Sequence, residues 1–290
     1  MIQPLVGAPP QNVAQISSSL LLISVPRASE AHSFPLNKVP DLYAVEEIGH
    51  YVTDSKVVFL VRAATSQNDP PEKAEHHVYI AIFDRDGNYQ KRTQVEDNFQ
   101  IYKIGLFPSG NYLAYGSDKQ DHSPKLAMLK DDGTLLRYLE VPKNDIPEAA
   151  VGTLDGKGKD PAVYIAPVQF MGQEHSIYVV QNKTDFPILE VSGAGQIREV
   201  HPKLPAGSQV RMLVPSDNNL YAQVGEWDNP AIYEIDSGSG VALRRLQVGK
   251  NQANENVACV NGDKFLSFQD IKGKLVPLIG TAEPKDSSAQ

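Results

Sequence analysis

Histidines and the acidic residues near them are the side chains of this chain best suited to metal or acid–base chemistry. Among the seven histidines, His76 and His77 follow Glu72 and Glu75, and imidazole with carboxylate is a donor set that suits zinc. Adjacent residues at the start of a strand point to opposite faces, so the two imidazoles do not converge on one ion. We therefore interpret these four residues as solvated loop residues.

Glycine-rich stretches of the chain do not match known nucleophile, phosphate-binding or calcium motifs. The run Asp236–Gly240 lacks the first glycine of a nucleophile elbow, and Gly152–Lys159 lacks the spacing and the Ser/Thr of a P-loop. Arg198 stands where a dinucleotide fingerprint beginning at Gly193 requires its third glycine. Asp84–Asn88 does not fit the EF-hand ligand positions, and Asp-Gly between strands is a standard hairpin turn. We expect a turn there, without calcium.

Acidic residues recur in the loops that we expect to join the second and third strands of successive four-stranded units. In such units these loops lie at one end of the sheets, so their side chains form one candidate binding site. Aspartate is favoured in loops for local reasons alone. The alternative is a ring of carboxylates around a channel mouth, able to hold a cation such as calcium or a basic partner. The candidate residues are Asp69, Asp118, Asp121, Asp185, Asp228 and Asp270, with Trp227 as an apolar anchor.

Short turns of Asp/Gly or Ser/Gly type predict the architecture that positions these loops. They end at Gly87, Gly133, Gly195 and Gly240, at intervals of 46, 62 and 45 residues. A repeat of this length that contains only strand signals is typical of β-propeller blades. We therefore predict an all-β fold, a β-propeller of five or six four-stranded blades.

The second unit is the clearest, with strand patterns at Phe99–Phe107, Tyr112–Gly116, Lys125–Leu129 and Leu135–Val141. The long interval between turns reflects an insertion over residues 142–161, either a surface loop or a degenerate strand pair of a sixth blade.

Strand patterns at the two ends of the chain predict how the ring of propeller blades closes. The last unit shows three strand patterns, and an unpaired fourth position would leave an exposed edge. We expect Ser17–Val25 to supply that strand. The predicted organisation is an N-terminal segment over residues 1–40, the propeller over 41–280 and a disordered tail over 281–290.

The second unit also carries a family resemblance. Phe107-Pro108-Ser109-Gly110 followed by Lys130-Asp131-Asp132-Gly133 resembles the repeat of six-bladed propellers in the NHL-repeat and TolB-like group, where a Pro-x-Gly hairpin and an Asp-x-x-Gly hairpin recur. The match is sharp within residues 99–141. The resemblance implies the propeller fold but not an activity, because that group includes binding scaffolds, interaction modules and hydrolases.

The composition of the chain limits the kinds of molecule that it is expected to bind. The chain has 290 residues, a net charge of −8 and no dense Lys/Arg run, which disfavours nucleic acid. The single Cys259 excludes an intrachain disulfide and a cysteine-based zinc site. No apolar run reaches the roughly 20 residues of a membrane span. The sequence does not decide the compartment: an extracytoplasmic location is expected if a leader precedes this sequence, and a cytoplasmic one otherwise.

Two functions remain open at this stage. The first is a non-enzymatic binding or scaffold propeller that recognises a ligand or protein partner on the face with the longer loops. The second is a lactonase- or esterase-type hydrolase with a channel-bound metal. It requires inward polar side chains on several first strands, for which the candidates are Glu46, Glu47, His50, Gln100 and Gln169. Their uneven distribution favours the first function.

Overall fold

The computed structural model describes the chain in segments that cover most of its strands. The described residues are 13–17, 20–23, 32–53, 55–66, 75–96, 99–141, 150–152, 163–165, 168–173, 175–181, 187–206, 208, 210–214, 216, 220–224, 231–247, 256–261, 264–271, 274–281 and 283–285. Within them the chain is all-β apart from a short 3-10 turn, Leu36–Lys38.

Four consecutive sheets have the up-and-down order of propeller blades. The first blade contains β4 (Tyr43–Val52), β5 (Lys56–Ala64), β6 (His76–Asp84) and β7 (Tyr89–Gln94), and the second contains β8 (Gln100–Leu106), β9 (Tyr112–Ser117), β10 (Pro124–Leu129) and β11 (Leu135–Tyr138). The third contains β14 (Val168–Gln173), β15 (Ser176–Gln181), β16 (Ile188–Ser192) and β17 (Ile197–Val200). The fourth contains β18 (Val210–Val214), β19 (Leu220–Val224), β20 (Ala231–Ile235) and β21 (Ala242–Gln247).

The remaining strands form smaller sheets. A three-stranded fifth unit follows the fourth blade, as the sequence predicted. An N-terminal sheet precedes the first blade, and a two-stranded ladder pairs residues of the insertion with residues that directly follow it. These strands are β22 (Asn256–Asn261), β23 (Lys264–Ile271) and β24 (Lys274–Thr281), then β1 (Val13–Ser17), β2 (Leu20–Ile23) and β3 (His32–Pro35), then β12 (Ala150–Gly152) and β13 (Val163–Ile165), and finally β25 (Glu283–Lys285).

Successive side chains of a strand point to opposite faces of its sheet. Where both faces carry apolar residues, neighbouring sheets pack face to face. In β5, Val57 and Phe59 join a core with the segment 34–42, whereas Val58 and Leu60 join a core shared with the second and third blades. Another core lies between the third and fourth blades. The first strands contact one another in series, β4 with β8, β8 with β14, β14 with β18 and β18 with β22. This is the arrangement of a β-propeller, with the first strand of each blade innermost.

The turns that end at Gly133, Gly195 and Gly240 each contact residues that precede their own blade, which gives the period of the sequence a structural reason. Gly133 and Gly240 have φ values of 84° and 72°, and a Cβ at either position would overlap a backbone carbonyl oxygen of the preceding segment, Gln94 or His201. Cations on the outer strands complete the contact: Arg137 donates to the Ala194 carbonyl in the next turn. Lys91 donates to the Asp131 carbonyl oxygen at 3.4 Å, and Arg198 donates to the Gly238 carbonyl oxygen at 3.2 Å. The turns therefore hold neighbouring blades in register.

The chain ends differ from the prediction. β2 pairs with β1 and with β3, so the expected pairing of Ser17–Val25 with the C-terminal unit is wrong. A neighbouring partner costs less loop-closure entropy than a strand from the far end of the chain. Within the segment predicted as a disordered tail, β25 instead pairs with β21 and adds a fifth strand to the fourth blade. Of the two interpretations of the insertion, the β12–β13 ladder favours the strand pair.

Carboxylates inside the turns give the fold an expected acid sensitivity. Hydrogen bonds from Asn88, Thr134 and Ser239 lower the pKa values of Asp84, Asp132 and Asp236 below 3.8. A lowered folded-state pKa stabilises the fold above the unfolded value, and this contribution is lost as the pH falls through the folded one. We expect the melting temperature to fall as the pH drops below about 4.

The matched control for this acid sensitivity is substitution of the three turn aspartates by Asn. Asparagine keeps the Oδ1 acceptor but has no charge to lose, so this variant should show a shallower decline in melting temperature with acid. An equal decline in both proteins would assign the acid sensitivity to other groups.

Candidate functional site

The loop between β9 and β10 contains two of the aspartates predicted from the sequence, and it lies between a second and a third strand as expected. Asp118 Oδ1 accepts the backbone N–H groups of Gln120 at 2.8 Å and Asp121 at 3.4 Å. Asp121 Oδ1 accepts the N–H of Ser123 at 2.8 Å. The side chain of Ser123 is the main cause of a lowered pKa at Asp121. Both carboxylates therefore organise the loop that carries them.

A cation and an aromatic ring adjoin this loop. Lys125 Nζ lies 3.8 Å from Asp118 Oδ2 and 5.8 Å from the ring centre of Tyr138. Tyr138 is 43% exposed, although its ring also contacts Phe99. We call Asp118, Asp121, Lys125 and Tyr138 the loop patch. It joins two carboxylates, one ammonium group and one accessible aromatic face at the edge of the second blade.

The described part of the structure does not place the other predicted members of the acidic ring at the loop patch. Asp69, Asp185, Trp227 and Asp228 lie outside them. Asp270 is not in a loop but inside β23, where it pairs with Leu275 near the turn to β24. The ring of carboxylates thus stays a prediction.

The innermost strand of the first blade brings together Glu47 and His50, two of the candidates for inward polar side chains that the sequence offered. Glu47 and His50 are three apart, a spacing that points side chains to opposite faces of a regular strand. A register irregularity between Glu47 and Gly49 inserts an extra residue, so Glu47 pairs with Val61 and His50 with Phe59 on the same face. The His50 Nδ1 atom lies 2.8 Å from Glu47 Oε1, and the two side chains are 13% and 12% exposed.

The negative charge of Glu47 acts on a lysine of the second blade. Burial lowers the pKa of Lys103 in β8, and the negative charge of Glu47 partly offsets the effect. Gly49 of β4 permits the close approach of β8, because a Cβ there would lie only 3.1 Å from the Tyr102 carbonyl oxygen of β8.

Gln169 and Glu46, two other candidates of the innermost strands, have structural partners. The Gln169 side chain of β14 donates to the Leu213 carbonyl at 2.8 Å and accepts the Leu213 N–H at 2.9 Å, joining the third blade to the fourth. Glu46 is exposed and lies 3.8 Å from Arg62. The described residues contain no group of three or more His, Cys, Asp or Glu side chains that could hold a metal ion.

Two blades share a polar row that the sequence analysis did not find. Tyr178, Glu190 and Arg198 face one another across β15, β16 and β17. The fourth blade repeats the row across β19, β20 and β21 with Tyr221, Glu234 and Arg244. The available signal was the glutamate two residues before each turn, followed by an arginine on the next strand. Tyr178, Tyr221 and Glu234 are buried, Glu190 and Arg244 are half-buried and Arg198 is exposed, so each row links the strands of its blade from the interior towards the surface.

The comparisons with known proteins add no activity. No protein-family model and no curated protein sequence matches the chain. Among solved structures it is similar to virginiamycin B lyase from Staphylococcus aureus, with 10% identity, a TM-score of 0.44 and coverage of 90% of this chain and 88% of the lyase. It is also similar to the WD40 domain of Neurospora crassa Pan2, with 13% identity, a TM-score of 0.40 and coverage of 95% and 65%.

A luciferin-regenerating enzyme is similar at 12% identity and a TM-score of 0.42, with coverage of 92% of this chain and 86% of the enzyme. Values this low carry no argument about function, and the propeller fold rests on the chain's own sheets and contacts between blades. Among the described residues, no helix is long and apolar enough to cross a membrane.

Proposed function

We propose that this chain is a non-enzymatic binding propeller that recognises a basic protein segment at the loop patch. The single observation that supports it is the β9–β10 loop, whose aspartates are held by hydrogen bonds within the loop. A loop that is ordered before binding loses little conformational entropy when a partner arrives. Loops held by a rigid scaffold are also a frequent location of recognition residues.

The chemistry of the patch suits a lysine or arginine of the partner. Lys125 already lies between the Asp118 carboxylate and the Tyr138 ring. A partner cation can use the remaining carboxylate lone pairs and the accessible aromatic face in the same way. The net charge of −8 favours the encounter with a basic segment at low salt.

The test is binding of a fluorescent Lys/Arg-rich peptide by anisotropy at low ionic strength. Substituting Asp118→Asn and Asp121→Asn keeps the Oδ1 acceptors that order the loop but removes two charges. We expect affinity to fall about tenfold, because charge-assisted contacts are replaced by neutral ones.

The matched control is Asp86→Asn with Asp131→Asn, which removes two exposed charges from turns at the opposite end of the blades. An equal loss of affinity in both variants would mean that only net charge matters, and the proposal would fail. A rise in melting temperature with calcium that only the Asp118/Asp121 variant loses would assign the loop to a cation instead.

One observation favours the alternative of a lactonase- or esterase-type hydrolase with a channel-bound metal. A carboxylate that accepts from one imidazole nitrogen orients the other as a ligand or general base, and Glu47 and His50 have this geometry. Glu47 and His50 are two candidate metal ligands. Among the described residues, no third His, Cys, Asp or Glu side chain completes a metal site with them. Metal analysis of the purified protein with an ester and lactone panel separates the two functions: stoichiometric metal with turnover that His50→Gln abolishes would establish the hydrolase.

A further inference from the structure

Among the outermost strands of the four blades, β11 combines an open sheet edge with exposed apolar side chains. It pairs with β10 on one side, and on its other side no described strand pairs with it. Leu136 and Tyr138 of this strand are 47% and 43% exposed. An edge strand of this kind presents unpaired backbone N–H and C=O groups that another extended segment can use.

The outer edges of the other three blades are better protected than β11. β7 carries the adjacent cations Lys91 and Arg92. β17 carries Arg198 and Glu199, and charged side chains discourage strand addition at an edge. β21 is covered, because β25 pairs with it in antiparallel orientation. The fourth blade thus shows that a blade of this chain accepts a further extended strand at its outer edge.

The hydrogen bonds of β11 show which of its backbone groups are available to a partner. Leu139 N–H donates to the Leu126 carbonyl oxygen of β10 at 2.8 Å, so the alternation of an antiparallel ladder directs the backbone groups of Tyr138 away from β10. The Leu135 N–H already donates to the Glu96 carboxylate at 2.8 Å. The open part of the edge is therefore short and lies at the end of β11 that belongs to the loop patch.

We infer that the partner binds as a short strand added antiparallel to β11, with apolar side chains beside Leu136 and Tyr138 and a lysine or arginine N-terminal to them. This inference rests on the proposed function and specifies the segment that the loop patch recognises. An antiparallel strand begins where its neighbour ends. β11 ends at Tyr138, whose ring shares Lys125 with the Asp118 carboxylate. The N-terminal part of the added strand therefore meets the carboxylates of the patch, which suit a basic side chain.

The probe is a peptide of two lysines followed by alternating valine and threonine, labelled at its C-terminus and measured by fluorescence anisotropy. In an antiparallel pair, every second residue of a strand donates its N–H to the neighbouring strand. N-methylation of these residues removes the donors, whereas N-methylation of the residues between them leaves the donors in place. We expect one methylated set to bind at least about tenfold more weakly than the unmethylated peptide, and the other set to bind equally well.

A matched pair of protein variants tests the apolar contact. Leu136→Ser removes an exposed apolar side chain from the open edge and should weaken binding of the peptide about fivefold. Leu243→Ser removes a side chain that is 56% exposed from β21, whose edge is covered by β25, and should leave the affinity unchanged. An equal loss of affinity in the two variants would overturn the inference.

The peptides also separate this inference from the proposed function. If the Lys/Arg-rich peptide binds through Asp118 and Asp121 but the two methylated sets do not differ, the proposed function stands and strand addition is wrong. Strand addition is also wrong if the Lys/Arg-rich peptide binds and the valine–threonine peptide does not. Absence of binding by both peptides would overturn the proposed function together with this inference.

Discussion

Replacing Gly133 by alanine is expected to destabilise the fold far more than the same change at Gly110. Both glycines have positive φ, 84° and 92°, so both variants carry the backbone cost of an L residue in this region. At Gly110 the nearest atom to an added Cβ lies 3.7 Å away, whereas at Gly133 the Cβ would overlap the Gln94 carbonyl oxygen of the first blade. We expect losses of about 1–2 kcal/mol at Gly110 and about 3 kcal/mol or more at Gly133.

Urea unfolding of the two variants measures this difference directly. Because the φ values nearly match, Gly110→Ala is the control for backbone strain, and the excess loss at Gly133 reports the contact between blades. Equal losses would show that the repeated turns do not hold neighbouring blades in register.

Removing the charge of Arg244 is the second change with a large expected effect. Glu234 is buried, with 7% exposure, and the Arg244 side chain donates both to it and to Tyr221. Arg244→Met leaves a buried carboxylate without its cation. Breaking a fully buried pair costs roughly 3–5 kcal/mol, and since Arg244 itself is partly exposed we expect about 2–3 kcal/mol.

The third blade supplies the matched control. Glu190 is more exposed than Glu234, and it also accepts from the Ser176 hydroxyl at 2.9 Å. Arg198→Met should therefore cost about 1 kcal/mol, as expected for a more solvated pair. The double variant Glu234→Gln with Arg244→Met should recover part of the lost stability, because no buried charge remains. If it is as unstable as Arg244→Met alone, the loss comes from arginine packing and not from the unpaired carboxylate.

The sequence by itself determined the blades. Alternating apolar residues bounded by turn residues predicted the four strands of the second blade with their order, and the glycine spacing identified the repeat. Both signals are local: strand periodicity follows from the pleat, and a turn that requires positive φ selects glycine. The same local rule explains why Asp84–Asn88 was correctly interpreted as a turn, since its carboxylate accepts the turn's own N–H groups.

The tertiary structure decided which polar side chains meet. A sequence cannot show a bulge, and one extra residue in β4 moves His50 to the side of Glu47. Nor does it show that the Gln169 side chain is hydrogen-bonded to the Leu213 backbone of the next blade. The N-terminal pairing was missed for a related reason: several strands had compatible patterns, and only the competition between near and distant partners selected one. Strand identity is encoded residue by residue, whereas a site between blades depends on register and close approach, which arise only when the sheets pack.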